Sequence, residues 1–157
     1  VDLLVLAAFR KHAAKRLRPS HILITGIPGS GKTTEGKRLS KEMGLPLVSL
    51  DGIAAKNKRW AGTADARRFI KKLDAPHIVE GTQLLGFHKK DLQGHDLRVM
   101  EQPRKEIVDR LVRRGWNDGG GVLHVGEAAR PRLEQAHDEF VGYANRFKAR
   151  IKKTAKG

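Results

Sequence analysis

Short apolar, β-branched runs alternate with amphipathic stretches along this chain, and the alternation predicts its elements. His21–Thr25 (HILIT), Leu47–Leu50 and His77–Glu80 read as buried strands, and Leu97–Met100 as a weaker fourth. Lys32–Met43 reads as a helix stopped by Gly44 and Pro46, and Arg104–Arg114 as a helix following Pro103. Residues 53–74 are helical in tendency with a break at Gly62, and Glu134–Arg150 is a long basic helix that frays over Thr154–Gly157. Leu3, Leu6, Phe9, Ala13 and Leu17 recur at helical spacing, which predicts a further helix over 3–17, with Arg10, Lys11, Lys15 and Arg16 mainly on its other face and Pro19 at its end. Gly115–Gly121 (GWNDGGG) holds four glycines and reads as a flexible loop. Strands alternating with helices predict an α/β domain around a mainly parallel sheet of four or five strands, with helices on both faces.

The length of 157 residues fits one domain, and there is no internal repeat or low-complexity tract. The absence of cysteine excludes disulfides, thiolate catalysis and Cys-based zinc sites, and fits a reducing, cytoplasmic setting. The longest apolar run, Leu3–Phe9, is far short of the roughly 20 residues that cross a bilayer, and no basic segment precedes it as in a signal peptide. No membrane association is expected. The chain starts at Val1 rather than Met, which leaves open whether residues precede it. Thirty-two Lys and Arg against 17 Asp and Glu give a net charge of +15, which favours anionic partners: nucleotide, nucleic acid or acidic surfaces.

Gly26-Ile27-Pro28-Gly29-Ser30-Gly31-Lys32-Thr33 matches G-x-x-x-x-G-K-[ST] at every constrained position, between a strand and a helix as that motif requires. Its glycines let bare backbone wrap a phosphate, and the following helix turns its positive end to the same anion. The expected contact set is Gly26, Pro28, Gly29, Ser30, Gly31, Lys32, Thr33 and Thr34. Lys32 can reach the β- and γ-phosphates, and the Thr33 hydroxyl is suited to Mg²⁺.

With this motif the chain resembles the small P-loop kinases, the group of nucleoside, nucleotide, shikimate and polynucleotide 5′-hydroxyl kinases. The resemblance begins at HILITGIPGSGKTTEGKRLSKEMG (residues 21–44) and continues less clearly to about residue 147. It implies a three-layer α/β/α P-loop NTPase fold with ATP and Mg²⁺ as cofactors. It places Asp51, in LVSLDG, against the acceptor, and Glu80, in HIVEGTQLL, beside the metal. It also makes EIVDRLVRRGWNDGG the approach to a mobile lid over 115–130, with Arg110, Arg113 and Arg114 near the phosphates. Such folds usually carry a fifth strand near the C-terminus, and none is legible after residue 125.

Each candidate has a structural alternative. Asp51-Gly52 is also a common turn pair, Glu80 could belong to a turn, and a basic stripe is often a solvated face. Among the arginines Arg110 and Arg114 are preferred, with Arg132 a weaker fourth. His21 and His77 start strands and read as structural, since no histidine has metal-ligand spacing. Trp60 and Trp116 could stack on a base or simply pack. Lys56-Asn57-Lys58-Arg59, Arg67-Arg68 and a basic tail over 148–157 give nucleic-acid-like charge density, yet eight aromatic residues offer no stacking platform legible in sequence. The expected function is ATP-dependent phosphoryl transfer to a small-molecule, nucleoside or nucleotide acceptor. The rivals are a polynucleotide 5′-hydroxyl kinase and a nucleotide-binding module of a nucleoprotein assembly with little turnover. The oligomeric state is not legible.

Overall fold

The computed structural model describes residues 3–9, 18–56 and 62–155, and of these the side chains of 3–9 and 153–155 are left aside. The expected stretch 10–17, the cluster Asn57-Lys58-Arg59 and Trp60 lie outside the described residues.

The strands are β1 (Leu3–Phe9), β2 (Ile22–Thr25), β3 (Leu47–Ser49), β4 (Ile78–Glu80) and β5 (His95–Glu101), ordered β1-β5-β2-β4-β3 in one sheet. β2 runs parallel to both β4 and β5, and β3 runs parallel to β4. Helices α1 (Lys32–Met43), α2 (Leu50–Lys56), α3 (Thr63–Lys72), α4 (Lys89–Leu92), α5 (Arg104–Arg114) and α6 (Arg130–Ala155) surround it. A small hairpin, β6 (Trp116–Asn117) with β7 (Leu123–His124), follows α5.

Period-two alternation sorts the central strands between two layers. Leu23, Val79, Leu97 and Val99 point into the larger core, where Ala66 and Ile70 of α3, Ile107 and Leu111 of α5, and Leu133, Phe147 and Ile151 of α6 meet them. Ile24, Ile78 and Met100 point to the other face and meet Leu39 of α1. The result is the expected three-layer α/β/α arrangement. Arg104 donates to Asp138 at 3.1 Å and to Glu134 at 3.1 Å, and Arg130 to Asp109 at 2.9 Å, tying α5 to α6. Such surface pairs contribute up to about 1 kcal/mol each, so the buried aliphatic contacts dominate this joint.

The N-terminal segment departs from the predicted helix: Leu3–Phe9 is a strand, antiparallel to β5, with Leu3 opposite Glu101 and Phe9 opposite His95. Seven consecutive apolar residues satisfy either period, and a strand wins where the outer edge of β5 offers seven unpaired backbone positions. The fifth strand missing from the C-terminal region is therefore supplied by the N-terminal end.

Smaller corrections have local causes. The second predicted strand stops at Ser49, and Leu50 already begins α2, so Asp51-Gly52 is a first helical turn rather than a β-turn. The interrupted helix is two helices, α2 and α3. β5 is longer than expected, and a 3₁₀ turn at Thr82–Gly86 and α4 fill a stretch without a strong period. The glycine-rich loop is pinned as a hairpin: Asp118 Oδ1 accepts from the N–H groups of Gly120 (2.8 Å) and Val122 (3.0 Å). α6 is 26 residues long, and the basic tail belongs to it as far as Ala155, with Lys148 bonded to Glu101.

At the N-terminal edge of the sheet, His21 is 2% exposed and stacks on His95 with ring centroids 5.1 Å apart. Its Nδ1 accepts from the His77 N–H at 3.1 Å, so this nitrogen must stay unprotonated. Burial first, and neighbouring His77 second, push the His21 pKa down to about 4 from 6.5. A depressed pKa means the unfolded chain binds the proton more readily, so this contribution to stability is complete above pH 6.5 and is lost as pH falls toward 4. The shift corresponds to on the order of 3 kcal/mol. His21→Asn, whose side-chain oxygen can accept from His77, should flatten that part of the pH–stability curve in urea titrations. An unchanged slope between pH 6.5 and 4 would place the acid sensitivity elsewhere.

Candidate functional site

The turn between β2 and α1 is built for an anion. Gly26 has φ 153°, and a Cβ there would lie 2.5 Å from Ser30 Oγ and 2.7 Å from the Met100 carbonyl. Gly31, at φ 94°, precedes α1 and provides no side-chain cap, which leaves first-turn N–H groups directed at the loop's interior. Neighbours hold the loop from outside: Gln102 Nε2 donates to the Ser30 carbonyl at 2.9 Å, and Arg110 Nη1 donates to the Gly29 carbonyl. Ser30 is fully buried, with its hydroxyl unpartnered.

Three charged groups converge on this turn. Lys32 is 5% exposed; its Nζ donates to the Ile27 carbonyl at 3.2 Å and lies 4.0 Å from Asp51 Oδ2. Burial lowers the Lys32 pKa, while Asp51 and Glu80 act against that shift. Glu80, wholly buried at the end of β4, accepts from Thr33 Oγ1 at 3.2 Å through Oε1, and its Oε2 has no partner. Gly81 makes the approach possible, since a Cβ there would sit 2.7 Å from Leu50 Cβ. Asp51, on the first turn of α2, accepts from the Thr82 N–H at 3.4 Å.

A cleft of about 850 Å³ runs over these groups. Pro28, Gly29, Gly31, Lys32, Thr33 and Thr34 line it, as do Asp51, Arg110 and Arg114; Gly26 and Ser30 shape the turn beneath. Partial desolvation and the nearby Arg110 lower the Arg114 pKa, with Asp51 and Glu80 opposing. Arg113 is exposed and does not line the cleft. Arg132 stays outside it as well, stacked on Trp116 with its guanidinium 5.3 Å from the ring centre.

Sequence reasoning missed several lining residues. Thr82 and Gln83 come from the unpredicted 3₁₀ turn, Phe140 from the middle of α6, and Asn117 and Asp118 from the hairpin. The Asp118 carboxyl is held down at about 2, chiefly by the His124 ring nitrogen 2.8 Å away and then by the Val122 N–H. The hairpin and α6 also bring aromatic side chains together edge-to-face. Trp116, Phe140 and Tyr143 form a row, with centroids 6.0 Å and 5.9 Å apart. The i, i+3 spacing of Phe140 and Tyr143 was the available signal.

A turn of this geometry between the central parallel strand and the first helix decides the architecture. The chain has the P-loop NTPase fold. Residues 22–80 match the family described as ATPase family associated with various cellular activities (AAA). Among curated proteins, the chain is 26% identical over 109 residues to an adenylate kinase of Mycolicibacterium smegmatis, covering 58% of this chain and 60% of that protein. It is 27% identical over 117 residues to an adenylate kinase isoenzyme 6 homolog of Caenorhabditis elegans, covering 66% and 63%. An ATP-dependent zinc metalloprotease, FTSH 6 of Arabidopsis thaliana, is 29% identical over 129 residues, 73% of this chain but only 17% of that protein. The chain thus spans less than two thirds of each of these relatives. The solved shikimate kinase of Bacteroides thetaiotaomicron superposes at TM-score 0.47 and 16% identity, covering 81% of this chain and 82% of that one. The resemblance to small P-loop kinases stands.

The buried Lys32 pairs with Asp51 only at 4.0 Å, and burying an ammonium costs more than so long a contact returns. Lys32→Met should therefore leave the unfolding free energy unchanged or raise it by about 1 kcal/mol, while nucleotide affinity drops steeply. Denaturant midpoints and nucleotide titration of the same variant check both halves.

Proposed function

We propose that the chain transfers the γ-phosphoryl group of ATP to a small-molecule, nucleoside or nucleotide acceptor. The observation that carries this reading is the single cleft in which Lys32, Asp51, Arg110 and Arg114 meet the phosphate loop. In the reaction, an acceptor oxygen forms a bond to the γ-phosphorus as the bond to the β–γ bridging oxygen breaks, and ADP leaves. Backbone N–H groups of Gly26–Thr33 and the start of α1 hold the donor phosphates. Lys32 and the two arginines neutralise charge spread over the transferring oxygens, where a water-poor site makes each contact stronger. Asp51 orients an acceptor hydroxyl and accepts its proton.

The Thr33 hydroxyl and the buried Glu80 carboxylate, with its unpartnered Oε2, are hard oxygen groups that fit Mg²⁺. Such an ion, when bound, neutralises charge on the donor phosphates.

The charge of +15 favours a second reading, transfer to the 5′-hydroxyl of a polynucleotide. Incubation of γ-labelled ATP with nucleosides, nucleotides, sugars and 5′-hydroxyl oligonucleotides separates these acceptors. Salt-sensitive, ATP-independent binding of nucleic acid with no label transferred would instead indicate a module of a nucleoprotein assembly.

Asp51→Asn keeps the size of the side chain and removes the proton acceptor. Transfer to a hydroxyl should fall by about 10²–10⁴-fold with ATP affinity little changed. A milder loss would indicate a phosphate acceptor, and no loss on any acceptor would remove Asp51 from the reaction.

Trp116, Asn117, Asp118 and Gly119 line the cleft, which supports a lid role for the hairpin. Hydrogen exchange over residues 115–126 should slow when a non-hydrolysable ATP analogue and Mg²⁺ are added. Protection confined to the phosphate loop would exclude that role.

A further inference from the structure

We propose that the chain carries a second anion site, for a small organic phosphate, in a cavity at the end of the sheet opposite the phosphate loop. The cavity holds about 510 Å³, within the range of small-ligand sites. His21 precedes β2, His77 precedes β4 and His95 opens β5, so the starts of adjacent parallel strands gather imidazoles in one place. The phosphate loop leaves the other end of β2, and no residue lines both this cavity and the cleft. The site is therefore independent of the phosphoryl-transfer reading.

The lining specifies the ligand. His21 and His95 both contribute to it, their rings stacked at 18°. The His21 Nδ1 accepts from the His77 N–H at 3.1 Å, and the His95 Nδ1 accepts from the His21 N–H at 3.0 Å. Each neutral ring then keeps its proton on Nε2. With Nδ1 taken, that N–H is the polar group His21 offers the cavity, and among the described residues nothing accepts from it. Arg18, Lys71 and Lys90 also line the cavity; all are exposed, and none is in an ion pair among the described residues. The carboxylate in the lining, Asp91, is already held, since its Oδ2 accepts from Arg67 Nε and from the His88 N–H, each at 2.9 Å. Arg67 also donates to the Gly86 carbonyl at 3.2 Å, so this pair belongs to the wall. The remaining cations come from the segment before β2, from α3 and from α4. They converge on one cavity instead of running along one helix face, which suits a compact anion better than a polynucleotide strand. Ile70, Leu73 and Phe87 supply an apolar side. A bare ion leaves that side unused, and a hydrocarbon leaves the cations uncompensated. A phosphate on a small apolar body uses both.

The test is calorimetry on the full chain carrying Lys32→Met, which weakens the phosphate loop as a competing site. Phenyl phosphate, inorganic phosphate and phenol are the probes. Phenyl phosphate should bind most tightly of the three, and the imidazole resonances of His21 and His95 should shift along the same saturation curve. Reversing two of the cations, with Lys71→Glu and Lys90→Glu together, should weaken that binding about tenfold or more, the scale of a hydrogen bond to a charged group. Both lysines are exposed, so the double variant should fold as before, and a urea titration checks that it does. Absent binding of phenyl phosphate, binding that the double variant leaves unchanged, or saturation with neither histidine shifted overturns the proposal. Inorganic phosphate binding as tightly as phenyl phosphate also overturns it, because the apolar side then contributes nothing. A single-stranded oligonucleotide that shifts both histidines where phenyl phosphate does not overturns it in favour of a nucleic-acid surface.

Discussion

The burial of Lys32 at the start of α1 and of Glu80 at the end of β4, on adjacent parallel βα units, is the constraint around which the molecule is arranged. Removing a cation and a carboxylate from water costs several kcal/mol each unless partners are in place. Here Lys32 donates to the Ile27 carbonyl and lies 4.0 Å from Asp51, and Glu80 accepts from Thr33. The balance is struck by everything that keeps the turn from relaxing: the Gln102 and Arg110 contacts on its carbonyls, the close approach at Gly81, and the β2 and β4 cores behind it.

The same arrangement explains why the cleft opens at this edge of the sheet. β3 and β4 lie on one side of β2 and β5 on the other, so the chain switches sides at β2. In open α/β sheets the crevice outside the strand ends at such a switch is the default binding place. Arg110 and Arg114 reach it from α5, which follows β5, and Asp51 reaches it from α2, which follows β3. One side of the phosphate loop therefore receives cations and the other a carboxylate, a division that follows from connectivity.

The phosphate loop was legible in the sequence because its signals are local: fixed glycine spacing, an apolar strand before it, an amphipathic helix after it. That β2 to β5 run parallel was legible from strands alternating with helices, whereas their order in the sheet was not. Leu3–Phe9 was not, since an unbroken apolar run carries no period of its own and the vacant edge of β5 decided its state. Thr82, Gln83 and Phe140 were illegible as site residues because only tertiary packing brings the 3₁₀ turn and the middle of α6 to the cleft. Arg113 and Arg114 are neighbours on one helix, and which of them lines the cleft is fixed by the packing of Ile107, Val108, Leu111 and Val112.

The N-terminal origin of the fifth strand bears on the wall of the cleft opposite the phosphate loop. With β1 closing the sheet beside β5, the stretch after the hairpin is free of any strand and continues as one 26-residue helix. That helix is anchored at both ends by buried Leu133 and by Phe147 and Ile151, which holds its central turns in a fixed place above the Thr82–Gly86 turn. Phe140 and Tyr143 sit on those central turns. The placement of β1 beside β5 thus leaves the phosphate loop untouched, and α6 brings Phe140 to the cleft that Asp51 lines. The glycine-rich turn is the most local part of the pattern, whereas the part of the cleft wall that Phe140 supplies depends on how the far end of the chain crosses it.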